Sequence, residues 1–378
     1  MGRQLAASLI ATLRHRLSQH VTANSISSCR TLSPPTVHAI QSYLAKSPYS
    51  TKQQPRLTRK DYTIGWVCAL PIELAAAQEM LDEEHEGLPQ ELNDPNIYTL
   101  GRIGEHNVVI ACLPAGQTGT HSAAAVAVQM KTRFNAIRFG LMVGIGGGVP
   151  STVHDVRLGD VVISQPYMEH GGVVQYDFGK TTPNGFVRTG FLNAPPIILL
   201  NAVASLRAKH LRRRGTLLSH LSKLSGLPEF ARDNTGPDDL FEATYKHVGG
   251  AACERCSEDR IITRQSRSSQ EIMVHYGTIA SGSQVIRDGV VRDKVNSALG
   301  GVLCFEMEAA GLMNSFPCLV IRGICDYADS HKNKRWQAYA AGTAAACAKE
   351  VLSVIPATTL IMEPTADEVM GGMNGWYS

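Results

Sequence analysis

The chain has 378 residues, 44% hydrophobic and 18% charged, enough to bury a sizeable core in one large domain or two small ones. That excludes a disulfide-stapled miniprotein and a wholly disordered chain. Lys and Arg number 36 against 33 Asp and Glu, and a net charge of +3 gives no reason to expect nucleic acid or an anionic membrane as partner.

In chain order, residues 1–60 come first and contain no Asp or Glu, whereas Arg3, Arg14, Arg16, Arg30, Lys46, Lys52, Arg56, Arg59 and Lys60 are basic. Leu5, Leu9, Leu13 and Leu17 form an i+4 stripe beside Arg14 and Arg16. The pattern fits either a mitochondrial presequence or a disordered extension, so the expected location is cytoplasmic with a mitochondrial alternative. From residue 61 short apolar runs alternate with helical segments. Strands are predicted at 62–70, 108–113, 139–143, 160–164, 274–281, 301–306 and 318–323, and helices at 73–83, 120–133, 194–211, 288–297, 309–315 and 336–355. This rhythm argues a single α/β domain over 61–356, a three-layer α/β/α sandwich around a twisted mixed sheet. Residues 212–270, with Arg212, Arg213 and Arg214 and a Pro- and Gly-containing polar run, read as a loop-rich insertion. Residues 357–378 read as a flexible tail with little to pack.

Nine cysteines, Cys112, Cys304, Cys318, Cys325 and Cys347 among them, lie in or near hydrophobic runs and fit small buried residues of a reducing compartment. No stretch offers the roughly 18 uncharged apolar residues of a membrane helix, so a soluble protein is expected.

Three segments are candidates for chemistry. The run Gly144-Ile145-Gly146-Gly147-Gly148 follows an apolar strand, but no Lys-Ser or Lys-Thr follows it and residue 149 is Val, so it matches neither a P-loop nor a dinucleotide fingerprint. What remains is a strand end that something, a ligand or another strand, approaches closely. Glu306-Met307-Glu308 places two carboxylates where a strand passes into a small-residue segment, with no lysine in 301–305 to pair them. Asp326 again ends an apolar strand in an acid, and each of these acids alone fits a solvated carboxylate as well.

Together with Glu73, the turn Ala115-Gly116-Gln117-Thr118-Gly119, Leu158-Gly159-Asp160 and Ser281-Gly282-Ser283, these segments resemble, in order, the purine and uridine phosphorylase superfamily, which includes the methylthioadenosine/adenosylhomocysteine nucleosidases. The wording GGVVQYDFGK, FEMEAAG and RGICDYADSHKNK is similar to fungal nucleoside-phosphorylase-like domains found ahead of nucleotide-binding and repeat modules in immune-type receptors. No P-loop of such a module is expected in this chain.

The resemblance implies cleavage of a purine N-glycosidic bond, which builds positive charge on the ribose and negative charge on the base. By position it implies Asp326 as the acid at N7 and Glu308 as acceptor for the ribose hydroxyls, with Met307 against the ribose and Glu306 in support. It also implies Val285 and Ile286 at the base edge, and contributions from Gly146, Gly116 and Ser281. An aromatic that often stacks on the base is replaced by Val285. The phosphate-binding arginines of hexameric phosphorylases fall at Glu73 and Met142, so water is the expected nucleophile and Glu73 its base. Phosphorolysis is the alternative, with phosphate a possible co-substrate held at the 116–120 turn. A nucleotide-sensing or oligomerising module with little catalysis is another. The 5′ group is open: Lys180, Arg188, Arg287, Arg292 and Arg212 to Arg214 would have to meet phosphates. No cofactor, nucleic acid or membrane is expected, and a homo-oligomer is.

Cys253 and Cys256, with His247 upstream, have the spacing of half a zinc site. No second Cys pair lies nearby, so a plain thiol pair is favoured and no metal is assigned. His170, His275 and His331 fit satisfied core or surface histidines, with His170 beside a plausible pocket loop.

Overall fold

The computed structural model describes residues 57–90, 92–267 and 272–374, with side chains to 371. The leader reading therefore lies, up to residue 56, outside the described residues. The first half comprises β1 (Ile64–Cys68), α1 (Pro71–Glu79), β2 (Glu83–Glu84), β3 (Tyr98–Ile103), β4 (His106–Cys112), α2 (Thr120–Arg133), β5 (Phe139–Gly148), β6 (Val161–Ser164), β7 (Val173–Gln175) and the hairpin β8 (Gly179–Thr182) with β9 (Gly185–Arg188). There follow α3 (Ile197–Leu211), α4 (Leu217–Leu221), β10 (Val274–Gly277), β11 (Ile279–Ser281), α5 (Gly289–Ala298), β12 (Cys304–Glu306), β13 (Cys318–Asp326), α6 (Gln337–Ser353), α7 (Ala357–Met362) and α8 (Ala366–Asn374).

Alternate side chains of a strand point to opposite faces, and when both faces are covered the strand reads as a continuous apolar run. All five residues of β1 are buried: Ile64, Trp66 and Cys68 pack in the layer that holds residues of α1, α3 and α6, while Val67 packs with α2. The same division runs along β13, with Leu319 and Ile321 on the first face and Cys318, Val320 and Ile324 on the second. Two apolar layers on one sheet require helices on both sides.

The sheet is mixed and eleven-stranded, in the order β10-β6-β13-β5-β1-β4-β3-β2, with β12 also on β5 and continuing to β11 and β7. β1 is parallel to β4 and β5, and β13 to β5. β6 runs antiparallel to β13, and β3 to β4. The alanine-rich α6 comes so close to β13 that a Cβ on Gly323 would meet the Ala340 carbonyl oxygen at 1.8 Å.

The structure departs from the sequence reading in four places. The apolar run 274–281 is two strands, β10 on β6 and β11 on β12 and β7. The helix expected at 309–315 is one 3-10 turn, Ala309–Gly311, followed by turns in which the Met313 and Phe316 amides donate to the Ala309 and Leu312 carbonyls, while Glu306 and Ser281 Oγ cap the Ala309 and Ala310 amides. Strands β3 and β7 and the β8–β9 hairpin had no strong alternation to announce them. The tail is not merely a loose end: α7 and α8 bury Leu360 and Ala366, the Ala366 amide donates to the Ile137 carbonyl at 2.7 Å, and Lys131 pairs with Asp367 at 3.0 Å. Residues 212–267 hold α4, single 3-10 turns and loops. Among the described residues no helix is long and apolar enough to cross a membrane.

Candidate active site

The C-terminal ends of parallel strands β1, β5 and β13 meet the turn after β12, and four acids converge there. Glu73 lies in the first turn of α1, where free amides favour a carboxylate. Its Oε2 accepts from the Ala69 and Leu70 amides at 2.7 and 3.0 Å, and its Oε1 accepts from the Ile145 amide at 2.8 Å. One side chain thus ties the end of β1 to β5. Burial raises its pKa, against the pull of Arg322 and these three amides.

The glycine run is explained by these side chains. A Cβ at Gly144 would stand 2.4 Å from Glu73 Oε1 and 2.5 Å from Arg322 Nη1, and one at Gly147 would stand 2.7 Å from Asp326 Oδ1. At these two positions the close approach is made by carboxylates and a guanidinium of the chain itself. Gly146 does meet another strand, at the Phe305 carbonyl.

Arg322, on β13 and completely buried, is the residue the sequence reading missed. Its Nη2 is paired with Glu306 Oε2 and lies 3.4 Å from Glu308 Oε2. The acids flanking Met307 are therefore not without a basic partner: it arrives from a neighbouring strand. The signal was a single Arg in an otherwise apolar strand, since a fully buried arginine must be paired. Its Nε and Nη1 have no hydrogen-bond partner among the described residues.

Glu306 also accepts from the Glu308 and Ala309 amides at 3.1 and 3.0 Å, so it holds the turn that presents Glu308. Glu308 Oε1 accepts from the Gly119 amide at 3.1 Å. Burial is the main cause that pushes Glu308 up to about 7; Glu306 and Glu73 add to it and Arg322 opposes it.

Glu73, Glu306, Met307 and Glu308 line one cavity together with Gly146, Val285, Ile286, Phe305, Thr118 and Lys332. Asp326 lines the adjoining cavity, and Cys325 and Lys332 line both, which puts Asp326 in the wall between them. Its Oδ1 accepts from the Ala328 amide at 2.9 Å, and Lys332 Nζ stands 3.0 Å from Oδ2. Burial works to lower the Lys332 pKa, but Asp326 and Cys325 together more than offset it and the value is raised.

Two expected binding residues sit elsewhere. Gly116 is exposed at φ 79°, and it is Thr118 and Gly119 of that turn that reach the site. Ser281 is fully buried with its Oγ accepting from the Ala310 amide at 2.9 Å, so it braces the turn after β12. An aromatic wall is present, but from Phe305, which Tyr176 meets edge-on at 5.5 Å. Of the basic residues weighed for a 5′ phosphate, Lys180, Arg188, Arg287 and Arg212 to Arg214 do not line this cavity. Arg292 is buried and donates to the Tyr327 carbonyl at 2.9 Å and to Asp293 at 2.7 Å. His170 Nε2 lies 3.1 Å from the Leu299 carbonyl oxygen and His275 Nε2 lies 2.9 Å from Asp160, both structural contacts.

A three-layer fold with buried acids gathered at parallel strand ends defines an α/β protein with a polar small-molecule pocket. The phosphorylase superfamily profile matches residues 63–355, and the chain belongs to that superfamily. It is 46% identical over 310 residues to a nucleotide-binding leucine-rich repeat (NLR)-like protein of Hyaloscypha variabilis, covering 81% of this chain and 30% of that one. The chain thus spans under a third of that relative's length. It is 27% identical to a 5′-methylthioadenosine/S-adenosylhomocysteine nucleosidase of Mycobacterium bovis, over 79% of this chain and 98% of the other. An ATP nucleosidase, Cap17, of Escherichia coli is 23% identical over 73% of this chain and 48% of its own. Among solved structures, futalosine hydrolase of Helicobacter pylori superposes with a TM-score of 0.51 at 17% identity, covering 78% of this chain and 99% of that one, a likeness of fold.

Proposed function

We propose that the chain hydrolyses the N-glycosidic bond of a purine nucleoside or nucleotide. The observation that carries this is the charge of the pocket floor: Glu73, Glu306 and Glu308 face the one guanidinium of Arg322, whose closest contacts are already Glu306 and Glu308. With the paired Lys332 and Asp326 included, four acids stand against two bases and leave no surplus positive charge to hold a phosphate dianion, so water is the better nucleophile. In the reaction the bond between C1′ and N9 breaks and its electron pair enters the purine. A proton reaches N7 from Asp326, the water oxygen bonds to C1′, and the water proton passes to Glu73. Glu308 accepts from the ribose hydroxyls, and Phe305, Val285 and Ile286 flank the base. The full-length nucleosidase relative supports the reaction class. For a nucleotide substrate, Lys332 is a cation in the cavity lining itself and Arg287 follows the lining residue Ile286.

A second reading, a purine-nucleotide sensing module with slow chemistry, is favoured by one contact. Asp326 paired with Lys332 must exchange that ammonium for a proton before it can act as an acid. The experiment that separates the readings is incubation with adenosine, inosine, methylthioadenosine, AMP and ATP, with and without phosphate, followed by chromatography. Free base with free sugar, independent of phosphate, is expected. Ribose 1-phosphate would establish phosphorolysis, and stabilisation by a ligand without base release would establish the module.

A further inference from the structure

We propose that Cys253, Cys256, His331 and His247 form a zinc site that staples the 212–267 segment to the loop following β13. The sequence offers Cys253 and Cys256 at C-x-x-C spacing with His247 before them, and those three residues' ligand atoms lie within 4.8 Å of one another. The structure brings a fourth residue from 75 positions beyond Cys256: His331 Nδ1 stands 3.5 Å from Cys253 Sγ and 3.7 Å from Cys256 Sγ. Tetrahedral zinc, with bonds of about 2.3 Å to sulfur and about 2.0 Å to nitrogen, holds such atoms about 3.5 Å apart. The His331 imidazole nitrogen is thus already at the separation from each sulfur that ligands on one ion have, and the two sulfurs lie within 4.8 Å of each other.

The surroundings of His331 fit this role. Its Nε2 lies 3.0 Å from the Tyr245 carbonyl oxygen and donates to it, which leaves the Nδ1 lone pair turned to the two sulfurs. That is the usual support of a metal-bound imidazole. Phe241 stacks on the ring at 4.0 Å and fixes its plane. His247 donates from Nε2 to the Ala252 carbonyl at 3.1 Å, and its Nδ1 accepts from the Gly249 amide at 3.1 Å, a bond it gives up on binding. Two thiols and two imidazoles are a closed, zinc-selective set with no position left for substrate, so the role is structural. Its place in the fold gives it a consequence: His331 precedes Lys332, the partner of Asp326, so the ion anchors the loop that carries this contact.

The test reads metal content and does not depend on any catalytic activity. The full chain, purified under reducing conditions, loaded with zinc and passed through gel filtration in metal-free buffer, is expected to retain about one zinc per chain. Loading with cobalt instead should give the thiolate-to-cobalt charge-transfer band and intense tetrahedral ligand-field bands, a readout that needs no variant. Cys253→Ser with Cys256→Ser should abolish both signals, and His331→Gln should weaken zinc binding by more than about tenfold. His247→Ala weakening it to the same degree establishes four protein ligands. Wild-type chain that, with its thiols fully reduced, retains no zinc and shows no thiolate-cobalt band overturns the proposal. Zinc binding untouched by His331→Gln or His247→Ala would remove that histidine from the site.

Discussion

Lys332 Nζ and Asp326 Oδ2 are 3.0 Å apart in the wall between the two cavities, where one side of the pair meets the candidate base site. An ammonium there can serve the leaving base as a second donor or hold Asp326 away from a proton, and the two roles predict opposite results. If Asp326 must be freed to protonate N7, Lys332→Met raises kcat and moves its pH profile; if Lys332 donates to the base, the same change lowers kcat by about 10²-fold or more. We expect the loss, because lysine and aspartate together supply both charge and proton. Asp326→Asn should cost about 10²- to 10⁴-fold in kcat with binding retained. Steady-state kinetics of the two variants checks both statements.

Arg322 is the residue whose removal should most disturb the fold. Arg322→Met removes the guanidinium paired with Glu306 and Glu308 and leaves buried acids unpaired, which costs about 3–5 kcal/mol in comparable buried pairs. Urea unfolding should show that loss in the midpoint at unchanged slope. A loss under about 1 kcal/mol would mean that Arg322 does not hold these acids together.

Much of this arrangement was legible in the sequence. The parallel core strands and the helix Thr120–Arg133 followed from apolar runs and periodicity, because those elements are buried on a regular face. The motifs around Glu73, Met307 and Glu308 mark these residues in the sequence, and they do line one cavity. The rest was hidden for physical reasons. A strand's partner is set by topology, so nothing in the wording of 306–308 says that Arg322 will face it. Lys332 sits in an ordinary polar run, and its relation to Asp326 depends on how the chain turns after β13. Ser281 and Gly116 were placed by motif alone, and only the backbone decides that Ser281 Oγ turns to Ala310 while Gly119 supplies the amide to Glu308. His331 likewise carries no mark of Cys253 and Cys256 in its own neighbourhood.

Glu308 gives a pH dependence with a definite sign. Its folded pKa, about 7, lies above the ordinary 4.5, so the folded state binds a proton over that interval that the unfolded state releases. The contribution to stability is full below pH 4.5 and is lost as pH rises through about 7. Glu308→Gln should therefore flatten the fall in stability between these values, measured as the difference between wild type and variant in urea midpoints across pH. Activity should run the other way, because only the ionised carboxylate accepts both ribose hydroxyls: kcat/KM should rise through about pH 7.

Glu73 decides between water and phosphate. Its oxygens accept three backbone amide hydrogen bonds, and Glu73→Gln turns an NH₂ toward at least one of those donors, so a lower Tm is expected along with any kinetic change. In hydrolysis the variant also loses the base that takes the water proton, and the rate should fall by about 10²- to 10⁴-fold. In phosphorolysis no proton has to be taken from the nucleophile, and removing a negative charge beside the attacking dianion relieves repulsion, so the rate in phosphate should hold or rise. The measurement is base release by both proteins at equal folded fraction, with phosphate varied from none to saturating. A Glu73→Gln variant that matches or exceeds wild type in phosphate would move the reaction from a nucleosidase to a phosphorylase. A variant dead under every phosphate concentration, while still stabilised by substrate, would place Glu73 on the attacking water.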